Sequence, residues 1–161
     1  MRNPPLLYLT AGSVFFLLLG LAVSAGIPAL SPPAPTPYSV KYSDLELRGR
    51  RIYQREGCWY CHTQQVRSIE VGVGTVQVKG DIGPESTPGD YVSQSPVFWG
   101  TNRQGPDLSH VASRPYGGSR EWHLDHLRGP QKLNPGTVMP SYAHLPEGEL
   151  EALAAYLLTL K

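Results

Sequence analysis

Cysteine is nearly absent: the 161-residue chain has two, and they stand three positions apart. No framework of paired disulfides, of the kind that staples small secreted domains, can be built from them. Methionine is as scarce, with two residues, one of them Met1. Charge is missing from the first forty residues, where Arg2 is the single charged side chain, and all the others lie at or beyond Lys41. An excess of positive charge is lacking too. The formal net charge is +1, and setting Arg2 aside leaves 13 Lys and Arg against 13 Asp and Glu. That balance excludes the basic footprint of a nucleic-acid binder. No internal repeat is visible. Gly and Pro together make 33 of 161 residues, below the level of a disordered low-complexity chain. A loop-rich chain with roughly one folded domain is expected.

What is present first is a long apolar run. Leu6 to Ile27 is 22 residues without a charge. As a helix it spans about 33 Å, enough for a hydrocarbon core of about 30 Å. The rival reading is a cleaved secretory signal, for which Val23-Ser24-Ala25 offers small residues at a cleavage site. Against it, the run exceeds the usual signal core and only Arg2 precedes it. The positive-inside rule puts Arg2 and the N-terminus in the cytoplasm and the main domain outside. Four prolines between Ser31 and Pro37 favour an extended polyproline II strut over a flexible coil. The expected organisation is a cytoplasmic N-terminus (1–5), a transmembrane helix (6–28), a Pro-rich linker (29–41) and an extracytoplasmic domain (42–161).

Within that domain, Ser43-Asp44-Leu45-Glu46 has the form of a capping box and predicts a helix from about 44 to 56, ended by Gly57. Ser119 caps a second helix through Arg128, stopped by Gly129-Pro130. Leu150, Leu153, Ala154, Leu157 and Leu158 form one apolar face of a third, beginning after Pro146. Residues 63–118 are rich in Gly, Pro and Ser, and the alternation from Val71 to Val78 suggests a short hairpin. The fold class read from this pattern is mainly α, with a long loop-rich insertion.

Chemistry concentrates at Cys58-Trp59-Tyr60-Cys61-His62, the pattern for covalent attachment of a c-type haem. Two thiols one helical turn apart reach the two vinyl groups on one edge of a porphyrin, and the adjacent imidazole then lies under the iron. A zinc site is a competing reading, but His123 and His126 are some sixty residues away and lack the usual finger spacing. A thioredoxin-type pair lacks its βαβ context, and a strained two-residue disulfide leaves His62 unexplained. A haem iron that transfers electrons needs a second axial ligand, and a thioether raises its potential. Met139 is the candidate, in a Val138-Met139-Pro140 loop stiffened by Pro135 and Pro140. The alternatives are His144 on the same loop, then His110, His123 and His126, each of which also reads as a surface or hydrogen-bonding histidine.

Residues 48–62 resemble the opening of a monohaem, class I-like cytochrome c domain, with Gly49 and Tyr53 where the first helix crosses the last. TQQVRS (63–68), FWGTNRQGPDLSHVA (98–112), REWHLDHLRGP (120–130) and VMPSYAHL (138–145) resemble in order the membrane-anchored monohaem subunit, CcoO or FixO, of cytochrome cbb(3)-type oxidases. The stretch from about 69 to 90 departs from that pattern. The resemblance implies one covalent haem c held by Cys58 and Cys61, with His62 the proximal and Met139 the distal iron ligand. It implies that the Pro106 carbonyl orients His62, and it brings Arg67, Arg103 and Trp99 toward the haem propionates or edge, although for each arginine a solvated surface charge is an equal reading.

By the same resemblance the chain is no enzyme by itself. It takes single electrons from another cytochrome c and passes them to the haem-copper catalytic subunit, from a single-pass anchor in the bacterial inner membrane with the haem domain on the periplasmic side. The other readings are the small subunit of a nitric oxide reductase, a free periplasmic carrier cytochrome, and a haem-based sensor.

Overall fold

The computed structural model describes residues 4–70, 83–100 and 102–161. The chain divides into two compact units, 1–34 and 35–161. Among the described residues the secondary structure is entirely helical. The predicted Val71 to Val78 hairpin lies outside the described residues.

In the first unit, helix α1 (Pro4–Leu21) runs through a π-helical turn (Ala22–Gly26) into α2 (Ile27–Leu30). The continuous apolar stretch is Pro5–Leu30, 26 residues long, or about 39 Å. Its large apolar side chains, Phe15, Phe16, Leu17 and Leu18 among them, are exposed. Two of its hydroxyls bond its own backbone: Thr10 Oγ1 donates to the Leu6 carbonyl at 2.9 Å and Ser24 Oγ to Gly20 at 2.6 Å. Hydroxyls bonded back to the helix's own carbonyls, as these two are, suit a lipid environment.

The second unit is built on α3 (Asp44–Arg55) crossing α6 (Glu147–Leu157). The capping box at the start of α3 is complete: the Ser43 amide donates to Glu46 Oε2 at 2.6 Å, and the Glu46 amide to Ser43 Oγ at 3.4 Å. The helix ends just before Gly57, whose φ of 71° is the left-handed conformation glycine tolerates. At the crossing, a Cβ on Gly49 would collide with the backbone carbonyl of Ala152. Glycine is therefore what lets the two backbones touch. Around that contact Tyr53 packs edge-on against Tyr156 (ring centres 5.4 Å) and at a tilt against Phe98 (5.3 Å). Arg50, also buried, lays its guanidinium over Phe98 at 4.3 Å and donates to the carbonyls of Ser95 and Pro96. The inner face of α3 thus pins the loop that leads into Phe98.

Helix α4 (Arg120–Arg128) is capped by Ser119, whose Oγ accepts from the Trp122 amide at 3.1 Å, and stops at Gly129. A short turn, α5 (Pro130–Leu133), leads into the Met139 loop. Helix α6 buries Leu150, Leu153, Ala154 and Leu157 as its periodicity predicts, and Ala152 and Tyr156 as well, whereas Leu158, expected on the same face, caps the helix end and is half-buried. It is enclosed on more than one side because α3 and α4 both pack on it. The chain from Pro35 onward belongs to this unit: Thr36 donates its amide to Gly89 at 3.3 Å and its hydroxyl to Asp90 at 2.5 Å, so the end of the Pro-rich segment is docked.

Candidate haem site

The CWYCH segment follows α3 immediately, with Cys58–Tyr60 forming a 3-10 turn. That turn places Cys58, Cys61 and His62 on the wall of one cleft of about 730 Å³, within the range of cofactor sites. Further parts of the lining come from Gly105, Pro106 and Leu108, from Trp122, His126 and Leu127 on α4, and from Met139. Residues 77 positions apart in the chain, His62 and Met139, therefore share a cavity.

The proximal side is organised by backbone contacts. Gly105 donates its amide to the Cys61 carbonyl at 2.9 Å, and Leu108 to Thr63 at 2.8 Å, so the Gly-Pro-Asp-Leu loop lies along the motif. This brings the Pro106 carbonyl 2.8 Å from His62 Nδ1. A carbonyl only accepts, so Nδ1 carries the proton and Nε2 keeps its lone pair. Burial holds the His62 pKa below its ordinary value, which also keeps the ring neutral. A Cβ on Gly105 would run into the imidazole.

Asp107 holds this loop in place. Its side chain is fully buried and its Oδ2 accepts from Thr63 Oγ1 at 2.5 Å, the Gln65 amide at 3.0 Å and Arg103 Nη2 at 3.2 Å. Its Oδ1 accepts from the Ser109 amide at 2.8 Å, and its carbonyl from buried Arg114 at 2.6 Å. The predicted Arg103 is accordingly a member of the Asp107 network, donating also to Thr63 Oγ1 and the Gln65 carbonyl, and it is not among the described residues that line the cleft. Trp99 is half exposed and packs edge-on against Tyr91 at 5.9 Å, again away from the cleft lining. Arg67 also lies outside that lining. Of the predicted set, Cys58, Cys61, His62, Pro106 and Met139 come together.

Two residues that sequence reasoning left without a role belong to the site, Asp107 and Arg114, and His126, named from the sequence only as an alternative distal ligand, lines the cleft. Asp107 carried no local signal, because its burial depends on which loops pack together. The signal for His126 was its four-residue offset from Trp122, which puts both on one face of α4. His144, the nearest rival to Met139 by position in the chain, is 63% exposed at its side chain and sits 3.7 Å from Glu56.

The cleft fits a c-type haem. Two thiols stand beside an imidazole with a committed Nδ1, a thioether lines the same cleft, and glycine stands where any side chain would strike the imidazole. Burial pushes the Cys58 thiol up to about 12, so Cys58 is not the thiolate nucleophile of a dithiol redox site.

A helical domain with this motif and cleft is a c-type cytochrome in design. The model of the cytochrome c oxidase mono-haem subunit family, FixO, matches residues 6–159, and the chain belongs to this family. No curated protein sequence matches it.

Proposed function

We propose that the chain is the one-electron relay of a membrane-bound haem-copper oxidase, anchored by a single uncleaved span with its N-terminus in the cytoplasm. Family membership supports a mono-haem cytochrome c subunit of an oxidase complex. The observation that carries the finer reading is the convergence of Cys58, Cys61, His62 and Met139 on one cleft, with His62 Nδ1 tied to Pro106.

In this reading Cys58 and Cys61 form the thioethers, His62 Nε2 is the proximal ligand and Met139 Sδ the distal one. The haem supplies a reversible ferric–ferrous couple when bound. The protein residues do the rest. The Pro106 carbonyl keeps the His62 proton on Nδ1 and raises the basicity of Nε2. The Asp107 network fixes that carbonyl. Gln131 Nε2 donates to the Met139 carbonyl at 2.7 Å and the Met139 amide donates to Thr137 Oγ1 at 3.2 Å, so the sulfur-bearing loop is held without help from the metal. Leu127, Leu153 and Leu157 line the cleft and exclude water. A frame that does not rearrange between oxidation states suits rapid electron transfer from a second cytochrome c to the catalytic subunit.

The test uses the purified oxidase complex mixed rapidly with reduced cytochrome c. In Cys58→Ala/Cys61→Ala, haem stain should vanish from this subunit and reduction of the catalytic subunit should fail. Wild-type reduction of the catalytic subunit in that variant would refute the relay.

A further inference from the structure

Five histidines occur in the chain, and the structure gives three of them plain structural employment. His110 Nδ1 donates to the Lys161 carbonyl at 2.8 Å, His123 Nε2 to Gly117 at 2.8 Å, and His144 lies against Glu56. His62 is the proximal ligand in the reading above. His126 is left, and it lines the haem cleft.

We propose that His126 is a reserve distal ligand of the haem iron, which takes the axial position when the sulfur of Met139 leaves it. The proposal rests on the His62/Met139 reading. Four observations carry it. The His126 ring lies flat on Trp122, with centres 4.8 Å apart and planes 9° apart, so packing sets its orientation. Its Nδ1 is buried with no hydrogen-bond partner among the described residues, so the accessible part of the ring is the side away from Nδ1, where Nε2 lies. The ring interacts electrostatically with His62, and both line the cleft. Finally, the Met139 loop is fastened to the residues that follow His126: the Tyr142 amide donates to the Leu127 carbonyl at 2.8 Å, and Ser141 Oγ to Arg128 at 2.6 Å. The loop that bears the thioether is thus tied to the helix that bears the imidazole, and both side chains line the cleft that His62 lines.

The unpartnered Nδ1 also explains why the imidazole is the reserve and not the resting ligand. Ligation through Nε2 requires the ring proton on Nδ1, where no acceptor waits, and a buried orphan N–H is costly. With the proton on Nε2 the lone pair sits at Nδ1, an arrangement a protein interior tolerates better, and burial keeps the ring neutral with a pKa lowered to about 4. In the exchange one Fe–S bond breaks and one Fe–N bond forms, the ring proton moves from Nε2 to Nδ1, and no electron is gained or lost. Imidazole in place of thioether lowers the potential, so the exchange would switch the relay from passing electrons to retaining the ferric state.

The experiment is made on the intact oxidase complex and read in the c-haem bands of this subunit. Met139→Leu should stay six-coordinate and low-spin, with a lowered potential, and should bind carbon monoxide at least tenfold more weakly than Met139→Leu/His126→Phe. The Phe retains the stack on Trp122. Millimolar imidazole should leave the spectrum of Met139→Leu unchanged, a measurement that needs no second substitution. A Met139→Leu protein that is already high-spin, or that takes up added imidazole, overturns the proposal. Loss of the low-spin spectrum in His126→Phe alone overturns it in another way, by making His126 the resting ligand. An unchanged potential in Met139→Leu is the distinct result that overturns the His62/Met139 reading, and this proposal with it.

Discussion

Asp107 Oδ2 accepts the hydroxyl of Thr63 at 2.5 Å, a bond that joins the residue after the haem motif to the residue after Pro106. The carbonyl that orients His62 is thereby positioned by a carboxylate one residue further on, which is itself shared among Gln65, Ser109 and Arg103.

Asp107→Ala removes the acceptor for four donors and leaves the Arg103 guanidinium beside an empty buried site. Breaking a buried charge pair from one side costs about 3–5 kcal/mol. The denaturant midpoint should fall accordingly with an unchanged slope, and Asp107→Asn should lie between. A loss below about 1 kcal/mol in the Ala variant would show that the network does not hold the loop.

Gly105→Ala and Gly49→Ala both introduce a methyl group where none fits, in different places. At Gly49 it meets the Ala152 carbonyl, so stability should fall by about 1–3 kcal/mol while the haem spectrum stays normal. At Gly105 it meets the His62 ring, so the absorption spectrum and potential of the haem should change. Identical, purely thermodynamic effects in the two variants would deny Gly105 its role at the imidazole.

Burial depresses the pKa of both His123 and His126, the latter to about 4. Each is a base whose folded value lies below its unfolded value near 6.5. In that window the unfolded chain binds protons that the folded protein does not, so stability rises with pH. It is complete above about pH 6.5 and is lost progressively as the pH falls toward 4. Denaturant titrations from pH 7 to pH 4 should show this slope, and His126→Phe should flatten it. An equal slope in that variant would contradict the assignment.

Much of the scaffold was legible because it rests on local chemistry. The Ser43–Glu46 box, the Ser119 cap, Gly57 and the Leu150-to-Leu157 periodicity each act within a turn or two, and each predicted helix is found where its signals put it. CWYCH was legible for the same reason. Placement across the chain was not. The exposure of His144, the burial of Asp107 and the entry of His126 into the cleft depend on which loops pack together. The partners of Arg103 were equally hidden: a loop arginine near a cofactor motif serves as well to hold a buried carboxylate, as Arg103 does at Asp107.

The anchor makes its own prediction, motivated by the exposed apolar helix over Pro5–Leu30. Intact mass of the subunit extracted from membranes should include Leu6 to Ile27. A mature chain beginning near Gly26 would mean a cleaved signal and a released carrier.

The central claim is that Met139 completes the iron coordination begun by His62. Leu in place of Met conserves volume and costs less than about 1.5 kcal/mol in packing, so assembly should survive. The direct measurement is a redox titration of this subunit's haem in the intact complex carrying Met139→Leu. The account predicts a midpoint lowered by more than about 59 mV, a tenfold change in the one-electron equilibrium, with haem stain retained. A midpoint equal to that of the unaltered subunit would contradict it.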